Sequence, residues 1–273
     1  MCLVALLSLL AACGGSQNKT LILATTTSTQ DSGLLDVLVP AFEKADGYKV
    51  KTVAVGSGQA IAMGERGEAD VLLVHSPAAE SALMATGKAA RRLLVMHNDF
   101  VLVGPPADPA HVNGSNLVAA LRAIGSSRSV FLSRGDASGT NAFELKAWKA
   151  AGVAPAGSWY QKTGQGMGAT LQVTAQKRAY TITDRGTWLA TGNGKGLQIL
   201  VQNDPGLLNI YHVIPISRKA GSKVNERGAD AFAKWITSAA AQTLIGGFGK
   251  EKYGRALFTA DAGKSDEQVQ KAG

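Results

Sequence analysis

The chain has 273 residues and an apolar content of 45%, which suits one large or two small domains and excludes a disordered chain. Its net charge is +8, but lysine and arginine are scattered, and Arg91-Arg92 and Arg218-Lys219 are the densest basic pairs. Without a long basic block interleaved with aromatic residues, the charge favours steering of a small anion or simple solubility over nucleic-acid binding.

Residues 1–19 are predicted to form an export leader and a tether. The apolar run from Leu3 to Ala12 has signal-peptide length and is too short to span a bilayer. It ends in Leu10-Ala11-Ala12-Cys13, which resembles a bacterial lipobox. The resemblance implies that Cys13 carries a lipid anchor, and an ordinary secretory signal is the alternative. Since both cysteines lie in this segment, we expect no internal disulfide and no cysteine metal cluster.

From residue 20 onward, short apolar strands alternate with amphipathic helices. Strands are predicted at 20–24, 49–55, 71–74, 99–104, 129–132, 179–183 and 209–214. Helices are predicted at 32–45, 58–66, 77–86, 116–124, 141–151, 169–178 and 224–244, with Asn141 as the cap of the fifth and Glu144 as its capping-box partner. This alternation indicates an α/β protein with mostly parallel sheets flanked by helices.

Two of these strands, 99–104 and 209–214, run into prolines and are predicted to cross between two lobes. Lobe one then comprises 20–101 and 212–273, and the inserted lobe two comprises 104–209. A cleft between two lobes is a common place for a ligand.

Four loops rich in glycine, serine and threonine precede predicted helices, and the first three also follow strands. They are Thr25–Thr29, Gly56–Gln59, Ser133–Thr140 and Gly164–Thr170. A helix N-terminus offers unpaired N–H groups and a positive dipole, and Arg134 adds a guanidinium. Any one loop is more often structural than functional, but four in order predict a cage of donors for a tetrahedral oxyanion. Asp136 either orients Arg134, caps a turn or enters the cleft.

Five segments resemble the tungstate-binding proteins of ABC transporters, in the type II periplasmic binding protein class. They are LATTTSTQDSGLLD (23–36), YKVKTVAVGSGQAIAMGERGEADVLLVHSP (48–77), NDFVLVGP (98–105), SRGDASGT (133–140) and YTITDRGT (180–187). The resemblance implies a receptor for tungstate or molybdate that serves a membrane permease, and we predict that it is monomeric and two-lobed. The resemblance also implies ligand contacts at Thr26, Thr27, Ser57, Arg134, Ser138, Thr140, Gly168 and Thr170.

The chemistry of the loops agrees with such a ligand. Tungstate, molybdate and sulfate carry no proton near neutral pH, so they only accept hydrogen bonds, whereas phosphate keeps a proton that needs an acceptor. A receptor for sulfate or phosphate, or an anion sensor, remains an alternative.

An enzyme is a remote alternative. Gly164-x-Gly166-x-x-Ala169, with Asp184 further on, matches a loose dinucleotide fingerprint. The four histidines show no metal spacing, and we expect His75 and His212 to end strands or pack at the hinge. We therefore predict no catalysis, no cofactor and no bound metal cation.

Overall fold

A computed structural model of the chain describes residues 19–192 and 194–272, so the predicted leader and Cys13 lie outside the described residues. Its first part contains β1 (Thr20–Thr26), α1 (Thr27–Asp31), α2 (Leu35–Asp46), β2 (Lys49–Val55), α3 (Ser57–Glu65), β3 (Val71–Val74), α4 (Pro77–Ala85) and β4 (Leu93–Gly104). The middle contains α5 (Leu117–Ser127), β5 (Phe131–Ser133), α6 (Gly139–Ala150), β6 (Tyr160–Lys162), α7 (Met167–Lys177), β7 (Thr181–Asp184), α8 (Arg185–Thr191) and β8 (Gln198–Val201). The last part contains a 3₁₀ turn (Pro205–Leu207), β9 (Leu208–Pro215), α9 (Glu226–Ile236), α10 (Ala239–Gly247), α11 (Lys250–Tyr253), β10 (Thr259–Ala260) and α12 (Asp266–Ala272).

The first sheet has three parallel strands, and its order is β10-β4-β9-β3-β1-β2. In the parallel β1–β2 pair, Thr26 lies opposite Val55, and in the parallel β1–β3 pair, Thr25 lies opposite Leu73. The long strands β4 and β9 pair antiparallel with each other, and β9 pairs antiparallel with β3. Because β1, β2 and β3 are parallel, the segments that follow them emerge at one edge of the sheet.

The second half of β4 belongs to another group of strands. Residues 93–99 pair with β9, whereas residues 100–104 pair antiparallel with β7 and β8. Beyond them, β5 and β6 pair in parallel, and a parallel bridge joins Phe131 to Tyr180. The sheets are therefore mixed. The parallel pairs are β1–β2, β1–β3 and β5–β6, and every antiparallel pair includes β4 or β9.

β3 and the second half of β4 bury apolar side chains on both faces, as expected of strands covered by helices. On β3, Val71 and Leu73 join one hydrophobic cluster, and Leu72 and Val74 join another on the opposite face. Alternating residues of 100–103 on β4 likewise enter two separate clusters. The two clusters that include β3 contain buried residues from 21–96 and 211–258. The two clusters that include residues 100–103 of β4 contain buried residues from 100–207. This separation supports the predicted lobe boundaries, which stay a prediction.

Three differences between the predicted elements and the structure go beyond small shifts of the ends. β4 begins at Leu93 rather than at residue 99, and residues 27–31 form a short helix rather than a loop. The predicted helix 224–244 is two helices, because Ser238 caps α10 by accepting a hydrogen bond from the Ala241 N–H.

Two features are absent from the described residues. No helix in the described part of the chain combines the length and the apolar character needed to cross a membrane. Within residues 19–192 and 194–272, no cluster of three or more His, Cys, Asp and Glu side chains is arranged to hold a metal ion.

Candidate functional site: a cage of hydrogen-bond donors

The predicted loops begin where strands end and lead into helices. β1 ends at Thr26, β2 at Val55 and β5 at Ser133, and each of these strands is followed by a helix. Because Thr26 lies opposite Val55, the first two loops emerge side by side. The helix after the fourth loop, α7, contacts α1. The N-termini of these helices therefore converge at one place.

Loops from the two predicted lobes are in direct contact there. The Gly58 N–H donates to the Ala137 carbonyl at 3.2 Å, and Arg134 Nη2 donates to Thr27 Oγ1 at 3.2 Å. A Cβ added to Gly166 would lie 3.5 Å from the Thr27 side chain, so the fourth loop also reaches Thr27. The structure thus brings together all four predicted loops.

Arg134 is the cation at this meeting point, and only 2% of its side chain is exposed. Its Nη2 atom donates to Asp136 Oδ2 at 2.6 Å. Its Nε and Nη1 atoms are buried and have no hydrogen-bond partner among the described residues. A guanidinium has five N–H donors and stays charged, so these two nitrogens require an acceptor. An anion would supply one.

Asp136 orients Arg134 instead of offering a free acceptor. One carboxylate oxygen accepts from Arg134, and the other accepts the Ser138 N–H at 3.2 Å. Of the predicted roles, the structure therefore supports orientation of Arg134 and capping of the turn.

Two hydroxyl groups at the start of α6 have unused donor capacity. Ser138 caps the helix, since its Oγ accepts the Asn141 N–H at 3.2 Å, and no described group accepts the Ser138 hydroxyl proton. Thr140 Oγ1 is buried without any partner in the described part of the chain. The prediction of Asn141 as the cap is wrong, because its side-chain oxygen accepts the Ala137 N–H instead.

Hydroxyl groups also gather at the starts of α1 and α3. Thr26 caps α1 by accepting the Thr29 N–H at 3.3 Å, and its Oγ1 lies 2.8 Å from Thr29 Oγ1 and 3.1 Å from Ser28 Oγ. Ser57 is fully buried as the first residue of α3, and its Oγ accepts the His75 N–H at 3.5 Å. These hydroxyls lie at the sheet edge where the loops meet.

In the fourth loop, the two predicted contacts have protein partners. Thr170 Oγ1 lies 2.8 Å from Thr163 Oγ1 and 3.4 Å from the Gln165 carbonyl oxygen. The Gly168 N–H donates to the Asp31 carboxylate. These bonds tie the loop together and to α1, and the ligand-binding role of Gly168 and Thr170 stays a prediction.

Acidic groups near Arg134 are also matched by protein donors. Burial raises the pKa of Asp31 and of Asp184, and the charge of Arg134 opposes the increase in both. Asp184 caps α8 by accepting the Thr187 N–H at 2.8 Å and the Thr187 hydroxyl at 2.7 Å. The carboxylates near Arg134 therefore already have donors of their own.

One buried acid that supports the site was predicted only as a capping partner. Glu144 accepts hydrogen bonds from Ser133 Oγ at 2.5 Å, Tyr160 Oη at 2.8 Å, Trp148 Nε1 at 3.0 Å and Asn141 Nδ2 at 3.3 Å. Burial raises the pKa of Glu144, and these four donors oppose the increase. The network fixes the residue that precedes Arg134. The burial of Glu144 could have been predicted from helical spacing, because Glu144 lies on the same helix face as the buried Ala147, three residues further on.

Helix N-termini that converge on a buried arginine with unpaired nitrogens, at the ends of parallel strands, define a solute-binding protein of the periplasmic-binding-protein class. In agreement, a PBP superfamily domain matches residues 14–240, which confirms the predicted fold class.

Relatives place the chain more narrowly. It is 50% identical over 247 residues to the tungstate-binding protein TupA of Peptoclostridium acidaminophilum, covering 89% of this chain and 86% of that protein. The solved structure of TupA from Desulfovibrio alaskensis G20 is 45% identical with a TM-score of 0.73, covering 89% of this chain and 99% of that one. The solved tungstate ABC transporter protein from Geobacter sulfurreducens is 42% identical with a TM-score of 0.76, covering 84% and 98%. The chain belongs to the TupA family of the PBP superfamily. The names of these relatives describe binding and transport, in agreement with the prediction that the chain is not an enzyme.

Proposed function

We propose that this protein captures tungstate where the four loops meet and delivers it to an ABC permease, without catalysis. The observation that carries the proposal is Arg134, a buried guanidinium with two unpaired nitrogens at the contact between loops. The names of the relatives support tungstate as the anion. The proposed contacts are Thr26, Thr27, Ser57, Arg134, Ser138, Thr140, Gly168 and Thr170.

Donor chemistry supports selection against phosphate. Asp136 is paired with Arg134, the charge of Arg134 acts on Asp31 and Asp184, and each of the three carboxylates accepts hydrogen bonds from protein groups. The proton of a protonated phosphate would therefore compete with these protein donors for a carboxylate, and an unsatisfied buried donor costs about 1–3 kcal/mol. Molybdate has the charge and shape of tungstate, so we propose it as a second ligand.

The cellular setting follows from the same role. We propose an extracytoplasmic monomer with lobe one at 20–101 and 212–273 and lobe two at 104–209, closing around the anion. Residues 1–19 would act as a leader and tether, with Cys13 as the lipid-modified anchor. No cofactor is needed, because the bound anion is itself the cargo.

An anion panel tests the proposed function. Isothermal titration calorimetry with tungstate, molybdate, sulfate and phosphate is expected to give the tightest binding for tungstate and binding weaker by about 5- to 150-fold for phosphate. A response to phosphate alone would contradict the proposal.

Thr140→Val removes a hydroxyl that has no partner in the described structure. We expect tungstate affinity to fall by about 5- to 150-fold, which corresponds to about 1–3 kcal/mol. The unliganded variant should unfold at the same or a higher temperature, because a buried unsatisfied hydroxyl has been removed. Calorimetry and thermal unfolding together check both parts.

Thr170→Val is the matched comparison for the unfolding temperature, since the Thr170 hydroxyl is hydrogen-bonded to the Thr163 hydroxyl. This variant should unfold at a lower temperature even without anion. An unchanged affinity in Thr140→Val would remove Thr140 from the site.

A further inference from the structure

His75 lies on a fifth segment at the edge where the predicted loops meet. It directly follows β3, and because Leu73 lies opposite Thr25 in the parallel pair, His75 leaves the sheet on the same side as Thr27. Its backbone N–H donates to Ser57 Oγ at 3.5 Å. Sequence patterns suggested only a strand end or a hinge for this residue.

The His75 ring packs against the start of α6. A Cβ added to Gly139 would lie 2.6 Å from two atoms of the ring, Cε1 and Nδ1, so only glycine allows this close approach. Gly139 stands between Ser138 and Thr140, both proposed anion contacts. The imidazole therefore lies directly behind the donor-rich helix start.

Neither nitrogen of the His75 ring has a partner at good hydrogen-bonding geometry among the described residues, and the Asn209 side chain is a polar group close to the ring. The residue is 4% exposed, and an imidazole always carries at least one N–H donor. His75 also lines a cavity of about 690 Å³, bounded in addition by Phe100, Lys146, Asn209 and Asp266. A polar cavity of this size admits water, which provides a route for protons to the neighbourhood of His75.

Charges of both signs surround the ring. Burial is the main cause that lowers the His75 pKa to about 4, Arg134 lowers it further, and Glu80 opposes the shift. From β9, the ring faces Tyr211 at 4.6 Å between ring centres and the Asn209 side chain, whose nitrogen donates to Asn98 and Tyr211. Asp266, across the cavity, is paired with His212 and Arg92.

We propose that His75 is a further residue of the anion site, and that it takes up a proton when the oxyanion binds. The inference rests on the proposed function. Without anion, burial and the Arg134 charge keep the ring neutral at pH 7. A bound dianion opposes the field of Arg134 and favours the imidazolium, so the His75 pKa rises on binding. The affinity for the anion must then increase as the pH falls toward the pKa that His75 has in the protein without anion.

Calorimetry with tungstate, repeated in buffers of different ionisation enthalpy, counts the protons taken up. If binding raises the His75 pKa by about two units, affinity should be about tenfold higher at pH 5 than at pH 8, with roughly half a proton bound at pH 6. In His75→Gln the uptake should disappear. His111→Asn is the control, because His111 is exposed and asparagine accepts its φ of 54°; its uptake should match the wild type.

Nuclear magnetic resonance gives a second measurement that needs no buried substitution. The chain has four histidines, so the imidazole signals can be assigned, and the His75 titration midpoint should rise when tungstate is added. An unchanged midpoint, or proton uptake that persists in His75→Gln through Asp31 or Asp184, would overturn the inference. Absence of tungstate binding at every pH would instead contradict the proposed function.

Discussion

Arg134→Ala is expected to weaken tungstate binding by about 30- to 5,000-fold, the largest loss of any single substitution in the site. Arg134 is buried, charged and left with two unpaired nitrogens, so an anion bound there is desolvated and depends on it. Removing one partner of such a charge pair costs about 2–5 kcal/mol. The substitution also leaves Asp136 without its cation, which adds repulsion between that carboxylate and the anion. Calorimetric dissociation constants of both proteins measure the effect.

Two further variants separate the possible causes of that loss. Lys177→Ala removes an equal charge from an exposed position on α7 and should leave the affinity nearly unchanged. Arg134→Lys keeps the charge but not the planar fork, and it should give an intermediate affinity. Equal losses in Lys177→Ala and Arg134→Ala would indicate that net charge, not the Arg134 site, controls binding. An unchanged affinity in Arg134→Ala would remove Arg134 from the site.

Local sequence patterns predicted much of the fold and of the loops. Serine, threonine and glycine that follow a strand pattern and precede a helical pattern indicate a helix start. The starts of α3, α6 and α7 were therefore predicted to within a few residues. The antiparallel pairing of β4 and β9 was not predicted. The apolar pattern of a strand indicates which of its faces are buried. It does not specify which strand pairs with it, or whether the pairing is parallel or antiparallel.

The site itself depends on contacts between distant parts of the chain. Whether a hydroxyl is free is decided by its neighbours: Thr140 is unpaired, whereas Thr170 is bonded to Thr163, although both follow similar loops. The role of Glu144 depends in part on Tyr160, which belongs to another element. Such pairings arise from tertiary packing, and the residue types alone do not specify them.

Glu144→Ala should destabilise the protein by about 3–5 kcal/mol, the largest expected effect on stability. The substitution leaves four donors around an empty space, of which those from Ser133 and Trp148 are deeply buried. Breaking a buried polar network by removing its acceptor is far more costly than removing an exposed acid. At about 2–4 °C per kcal/mol for a chain of this size, the unfolding midpoint should fall by about 6–20 °C. Glu251→Ala, at an exposed position on α11, should shift it very little.

The Glu144→Gln variant tests the pH dependence of the same group. Because the folded-state pKa of Glu144 is raised, the folded protein holds this proton more tightly than the unfolded chain. The resulting stabilisation is complete below the unfolded-state pKa and is lost as the pH rises through the folded-state pKa. Glutamine cannot titrate, so the stability advantage of the wild type over Glu144→Gln should shrink between acidic and neutral pH. Thermal unfolding of both proteins across that range measures the difference, and an advantage that grows with pH would show that Glu144 is held as a carboxylate. Since Ser133 precedes Arg134, Glu144→Ala should also weaken tungstate binding in the fraction that remains folded.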